Sequence, residues 1–494
     1  MVTAARPLAW ALLAAAVGCS IGTERHPDAS MADAGSSAHS GLDASRPDAE
    51  PPASGDAAVA GADASPGADA GPSGCGDPES MIPSWITSFA PAREIYVDPS
   101  GDDGQPGTSP QAAVRTTSRA LALAQPGTRL NFAPGTYSGG QLSNFAGTRQ
   151  APLVIRSSGA ARSARFDGGG GVGFQLSKVH AVVFDGIEVF NTSGHGIQVD
   201  SGAAPWDVAS ISSDIAILHS FIHDTGYAST KMSQTRSVWV IGNLLTRAGR
   251  AVAGRQNVEF VAVDDTVVAG NEATDSGGHF NEVKGGAKNA VLYRNYVHDN
   301  GGGILVGGDC TGVQYLTDPS ATYEALNVQV WDNVVVNAPS EAFRIVSCHQ
   351  CLVANNTSWS VGNQTNALKI VDIGFGSAAG TCDQGALHNE DLTIVNNVFA
   401  AARFAWVTAS NSAAIPGLVL HHNAWSGVAG TGGDVPFKGD PDSLYDVNLG
   451  LAGPPADLRP GASSPLVGKG VEVPQVPGNA DGTCWILAPN IGAY

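Results

Sequence analysis

The sequence predicts an all-β chain wound as a stacked solenoid, and two observations carry that expectation. Short β-branched stretches recur and close on asparagine, as in Val238-Trp239-Val240-Ile241-Gly242-Asn243, Val267-Val268-Ala269-Gly270-Asn271 and Leu392-Thr393-Ile394-Val395-Asn396-Asn397. The closing residues Asn243, Asn271, Asn295, Asn333, Asn356, Asn397 and Asn423 are separated by 28, 24, 38, 23, 41 and 26 residues. A strand-built period in the twenties is what coils produce when each buries its apolar face against the next. Composition agrees: 62 glycines among 494 residues, with 7% aromatic and 14% charged side chains, suit many short strands and turns better than long charged helices. A chain of this length can bury a large core, so disulfides would be accessory.

Taken from the start, residues 1–18 read as an export signal. Arg6 supplies a positive end and Leu8 to Val17 an apolar run too short to span a bilayer. Ala16-Val17-Gly18-Cys19 resembles the bacterial lipobox, which implies lipidation of Cys19 and anchoring at the outer membrane or cell surface. Residues 19–74 are a tether of Ala, Asp, Gly, Ser and Pro that cannot bury enough apolar surface to order itself. Such an acidic random coil spans about 40 Å. The formal charge of −19 argues against a general nucleic-acid binder. Residues 75–494 form the solenoid domain, expected to act as a monomer.

Within that domain the closing asparagines are expected at bends, tolerating a left-handed backbone while their amides pair with the adjacent coil. The domain resembles the bacterial right-handed parallel β-helix proteins of the polysaccharide-lyase type. Its beginning, Ile95-Tyr96-Val97-Asp98-Pro99 and then Ala120 to Thr128, resembles the first strand and short capping helix of that class. Ala133-Pro134-Gly135-Thr136-Tyr137 follows as the next strand begins its turn, and Pro460 to Val467 with Asn490-Ile491-Gly492-Ala493-Tyr494 resemble its close. These motifs specify fold and not reaction.

Three inserts, at about 200–212, 308–325 and 372–390, each follow the same strand of their coil and would line one side of the solenoid. They carry Trp206, Tyr315, Tyr323 and Phe375, which could stack on sugar rings or anchor the loops. On that sheet, strand alternation sends Val283, Ile304, Phe343, Ile345, Leu368 and Ile370 inward and leaves Glu282, Lys284, Arg344 and Lys369 outward. The row of bases reads either as a solvated face or as a track for an extracellular anionic polysaccharide, whose carboxylates bases would pair. At a coil spacing of about 4.8 Å, Lys284 would lie about 10 Å from Arg344 and Arg344 about 5 Å from Lys369.

Asn281-Glu282-Val283-Lys284, with Asn289 and Asn295 beyond it, resembles the region around the catalytic lysine of the chondroitinase B and alginate lyase family. The resemblance implies Lys284 as the base of a β-elimination, Glu282 and Asn281 as calcium ligands, and calcium as the cofactor. That family has arginine and histidine on the next coil; here Ile304-Leu305-Val306 stands there, leaving Arg344 as the candidate stabilising cation. A polygalacturonase reading fails, because Gly194-His195-Gly196 and Asp264-Asp265 occur in reverse order and no Asn-Thr-Asp element is present. His195 and His279 precede the outward sheet, and His223-Asp224 and His298-Asp299 occupy matching bends, as structural corners would. The rival to a lyase is a non-catalytic glycan-binding or adhesion module.

Six cysteines remain in the exported domain: Cys75, Cys310, Cys348, Cys351, Cys382 and Cys484, an even count that favours disulfides. The simplest pairing staples the inserts, through Cys310 and Cys382, to Cys348 and Cys351, and joins the ends through Cys75 and Cys484.

Overall fold

The computed structural model describes residues 75–201, 211–308, 310–316, 318–362, 366–372, 386–402, 405–409, 415–427, 440–484 and 489–494. Cys19, Trp206, Phe375 and Cys382 lie outside the described residues. The described residues fall within one compact unit, Ser65–Tyr494.

The chain is a right-handed parallel β-helix. Its strands form a 22-stranded sheet that wraps two faces and a 12-stranded sheet on the third, both parallel. A typical coil is His279–Lys284, Ala287–Tyr293 and Tyr296–His298, after which the chain rises to Gly302–Val306 directly above the first of these. Stacking in register makes each inward position a column. Val199, Met232, Phe260 and Val283 are Cα partners in succession, as are Val306, Ile345 and Ile370, and all are buried. Near the first coils the interior is aromatic: Phe132, Phe166, Phe174 and Phe184 follow one another at ring-centroid distances of 4.9 Å. The helix Thr117–Leu123 closes this end with Ala120 and Leu121 buried, its first turn capped by Thr116, whose hydroxyl accepts from the Arg119 amide.

The seven asparagines form a continuous buried ladder. Each Nδ2 donates to the Oδ1 of the next, from Asn243 to Asn423, at 2.9 to 3.0 Å. Each of those Oδ1 atoms also accepts from the backbone amide of the preceding asparagine. The amide pairing is therefore as expected, but the left-handed backbone falls one residue earlier, on Gly242, Gly270, Arg294, Asp332, Asn355, Asn396 and His422. The division of labour is physical: the preceding residue absorbs the bend, and the asparagine turns inward where its amide completes otherwise unpaired backbone groups.

The two ends of the domain run back over the same outer face and meet partway along it. On the amino-terminal side Met81, Ile82, Trp85, Ile86 and Phe89 join the cluster of Val183, Ala216, Leu218 and Ile241, and Glu79 pairs with His219 at 3.0 Å. From the other end Val471, Val473 and Val476 join the same cluster over Trp331, Ala354 and Val395. At the meeting point Cys75 is bonded to Cys484. Arg294 there donates to the carbonyls of Cys75 and Asn479, and the Tyr293 hydroxyl to that of Gly76 at 2.6 Å. The other pairing differs from the expectation. Cys348 and Cys351 are bonded to each other across the left-handed Gln350, with their Cα atoms 6.1 Å apart and within bridging reach, so they do not staple the inserts. Cys310 is disulfide-bonded as well.

Candidate functional site

The face that carries the inserts shows a column of outward side chains at one phase of the coil. Gln198, Lys231, Glu259, Glu282, Leu305, Arg344 and Lys369 are successive Cα partners. Arg344 lies directly beside Lys369, as the alternation predicts. Lys284 is outward too, but it stands two residues farther along its strand, opposite Val261, and so belongs to a neighbouring column. The expected file Lys284, Arg344, Lys369 is thus two adjacent files.

The lysines here carry carboxylate partners. Lys231 Nζ pairs with Glu259 Oε1, Lys284 Nζ lies 3.1 Å from Glu282 Oε1, and Lys369 Nζ lies 3.5 Å from Glu341 Oε1. Glu341 is further held by His279, 3.3 Å away, and by the Ser340 hydroxyl. The carboxylates are almost fully enclosed and the lysine side chains less so: side-chain exposure is 3% for Glu259 and 7% for Glu282, against 22% for both Lys231 and Lys284.

This enclosure sets the proton affinities. Burial alone would raise Glu259, but the charges of Lys231 and Lys284 outweigh it and bring the carboxyl down to about 2. For Glu341 burial is likewise outweighed, by hydrogen bonds from His279 and Ser340, and its carboxyl sits well below the usual range. Burial works against the Lys284 ammonium, yet Glu282 and Glu259 more than offset it, so its affinity for the proton rises above that of an ordinary lysine. His195 goes the other way: burial depresses it to about 4, with Glu259 only partly opposing, and its ring lies 5.3 Å from that of Tyr227. At neutral pH Lys284 is therefore an ammonium ion, Glu259 and Glu341 are carboxylates and His195 is a neutral imidazole.

The insert at about 308–325 lies against the site. Gly308 passes so close to the site that a Cβ there would stand 2.5 Å from Glu282 Oε1 and 2.7 Å from Lys284 Cδ. Glu324, fully buried at the root of the same insert, accepts from the amides of Gly285 and Thr311 and the Thr311 hydroxyl, each at 2.8 Å, and burial raises its pKa. The Tyr315 carbonyl accepts from Gln234 Nε2 at 3.2 Å, while its side chain is exposed. Tyr323 instead packs on His349, ring to ring at 5.1 Å, away from Lys284 on the next strand of the coil. On the far side Leu387 closes over Leu305, Val346 and Val371.

Asn281 and Glu282 do not converge. Asn281 stacks in the inward column between Val258 and Ile304, donating to the Leu305 carbonyl at 3.0 Å, while Glu282 faces outward toward Lys284. Adjacent residues of a strand point to opposite faces, so these two cannot share one calcium ion. Among the described residues no group of three or more His, Cys, Asp or Glu side chains is arranged to hold a metal ion.

The sequence reading missed Lys231, Glu259 and Glu341. For the first two the signal is phase: Lys231-Met232 and Glu259-Phe260 repeat the pattern of Glu282-Val283, an outward charge before an inward apolar residue, but inside 12-residue strands that bend around a corner. The other histidines are corners, as expected. His223 pairs with Glu188 and Asp224, and His298 with Glu272 and Asp299.

No family model matches the chain, and no curated protein matches it. Solved structures do resemble it. Pectate lyase Pel9A aligns at 18% identity with a TM-score of 0.53, covering 83% of this chain and 98% of its own. A rhamnogalacturonan lyase aligns at 12% identity and TM-score 0.48 over 69% and 90% of the two chains. An alginate lyase from Paenibacillus sp. str. FPU-7 aligns at 15% and 0.39 over 62% and 94%. The likeness to Pel9A is one of fold, the parallel β-helix found among polysaccharide lyases.

Proposed function

We propose that the protein acts on an extracellular, uronate-containing polysaccharide at the face centred on Lys284, as a β-eliminating lyase. The observation that carries the reading is the placement of Lys231, Lys284, Arg344 and Lys369 outward on one sheet of an otherwise acidic chain. Elimination requires a base for the proton beside the carboxyl group and positive charge for the electrons that proton leaves behind. Arg344 and Lys369 supply the charge, and Lys284 is the candidate base. Tyr315 is exposed at the rim, where a sugar ring could stack on it. Calcium has no role in this account, because Asn281 and Glu282 do not fit it.

The raised proton affinity of Lys284 sharpens the chemistry. A lysine base must first lose its proton, so a rate that depends on it climbs with pH through the ordinary lysine range and beyond. The same property favours the second reading, a glycan-binding module in which Lys284 remains an ammonium ion and grips a carboxylate. One experiment separates them. Purified protein is incubated with alginate, pectate, rhamnogalacturonan and chondroitin sulfate, with and without calcium, and the absorbance of unsaturated uronate is followed against pH. A pH-climbing signal supports the lyase; polymer retention without product, kept in Lys284→Arg and lost in Lys284→Ala, supports the binder.

Lipid attachment at Cys19 is proposed as the anchor, with residues 19–74 holding the domain clear of the membrane. Metabolic labelling with palmitate tests it: the wild type should incorporate label and Cys19→Ala should not.

A further inference from the structure

On the next face of the solenoid, past the corner that follows the candidate site, lies a groove of about 440 Å³ with a different chemistry. Its floor is the stacked column Gln329, Leu352, Thr393 and Val419, successive Cα partners on four coils. One wall is the corner column Asn327, Gln350 and Asp391, each in the left-handed conformation, with φ of 53°, 55° and 53°. Their backbone amides are spent on the stack, donating to the carbonyls of His349, Glu390 and Pro416, which leaves the side chains to face the groove. The other wall is the carboxy-terminal strap from Val471 to Gln475. It is fixed to the solenoid by Asn396, whose Nδ2 donates to the Val471 carbonyl at 2.7 Å and whose Oδ1 accepts from the Val471 amide at 2.9 Å.

We propose that this groove binds a neutral saccharide chain running along the solenoid axis. A volume of this order is that of a ligand site. The amides of Gln329, Gln350 and Gln475 each offer two donors and an acceptor, Asn327 adds its Oδ1 while its Nδ2 donates to Asn289 Oδ1 at 2.8 Å, and Thr393 adds a hydroxyl, which is the mixed inventory that vicinal sugar hydroxyls require. Leu352 and Val419 present an apolar strip for the C–H face of a sugar ring. Among the described residues no Lys or Arg lines the groove, and Asp391 and Glu472 make it acidic, so a uronate would meet repulsion. The coil repeat of about 4.8 Å places equivalent side chains at regular steps, which suits a polymer better than an isolated small molecule. This site requires neither catalysis nor Lys284, and it would let one domain hold a neutral and an acidic strand on different faces.

Isothermal titration of the full-length protein with cello-, xylo- and manno-oligosaccharides tests the proposal. At least one should bind, with affinity reduced about tenfold or more in Gln350→Ala, the scale of a lost hydrogen bond. Binding should vanish when Thr393→Trp fills the floor and persist in Lys284→Ala. Gln350 is exposed, so its truncation leaves the fold intact and keeps the test meaningful if the tryptophan disturbs packing. Absence of binding by all three sugars overturns the proposal, as does binding that survives Thr393→Trp in a correctly folded variant or disappears with Lys284→Ala.

Discussion

Two outer faces of the same solenoid have been put to opposite uses. The strapped face is largely apolar, with Val183, Ala216, Ile241 and Trp331 directed outward, and both chain ends lie on it and bury most of that strip, the groove beside residues 471–475 apart. The face of the inserts carries Lys231, Glu259 and Glu282 at equivalent outward positions with Lys284 in the neighbouring file, and Gly308 passes beside them. The difference teaches that coil stacking fixes the inside columns alone. Outward columns are free to vary, so a solenoid can close one flank for stability and leave another for chemistry.

Perturbations of either face should therefore stay on that face. The largest effect is expected for Lys284→Arg, which should cost about 10²–10⁴ in elimination rate, the range of a lost general base, and which keeps a cation beside the enclosed Glu282 so that the melting temperature changes little. Kinetics and thermal unfolding measured together would break the comparison if both moved. Next, Cys75→Ser should lower unfolding free energy by about 2–4 kcal/mol in denaturant titrations while polymer turnover is unchanged. Asn295→Ala, in the ladder common to both faces, should cost about 1–3 kcal/mol for each buried group left unpaired, here including Asn271 Nδ2 and the Asn271 amide.

The smallest effect is a pH dependence confined to the strap. Hydrogen bonds from Asp185 and Glu79 overcome partial burial and raise His219 to about 9. A histidine whose folded pKa lies above its unfolded value of about 6.5 stabilises fully below that value. The contribution fades as pH rises through about 9. With the imidazole 38% exposed, solvent screening keeps it under about 1 kcal/mol. His219→Gln should flatten stability between about pH 6.5 and 9 and leave the pH profile of turnover alone.

The fold was legible because its signals are periodic. Asparagines in the twenties, and charges before apolar residues, announce coils and faces, and Lys284, Arg344 and Lys369 do stand outward as alternation requires. The site was legible only in part. Glu259 and Lys231 sit at the predicted phase but within bent 12-residue strands, where no turn residue marks the boundary between faces. Glu341 precedes its strand, Phe343–Val346, and reaches Lys369 and His279 through three-dimensional neighbours that sequence spacing does not reveal. Cys75 and Cys484 pair as expected, while the stapling of the inserts to Cys348 and Cys351 failed for a related reason. Cys348 and Cys351 bond across a tight left-handed turn, a local geometry that outranks the longer-range staple.

The central claim, that elimination takes place on the face of Lys284 and not on the strapped face, is tested most directly by one side-by-side assay. Unsaturated uronate release from the best polymer is measured for wild type, Lys284→Ala and Cys75→Ser at equal folded concentration. Release abolished by the first substitution and kept by the second is the expected result. Equal release from wild type and Lys284→Ala, or loss in Cys75→Ser alone, would contradict it.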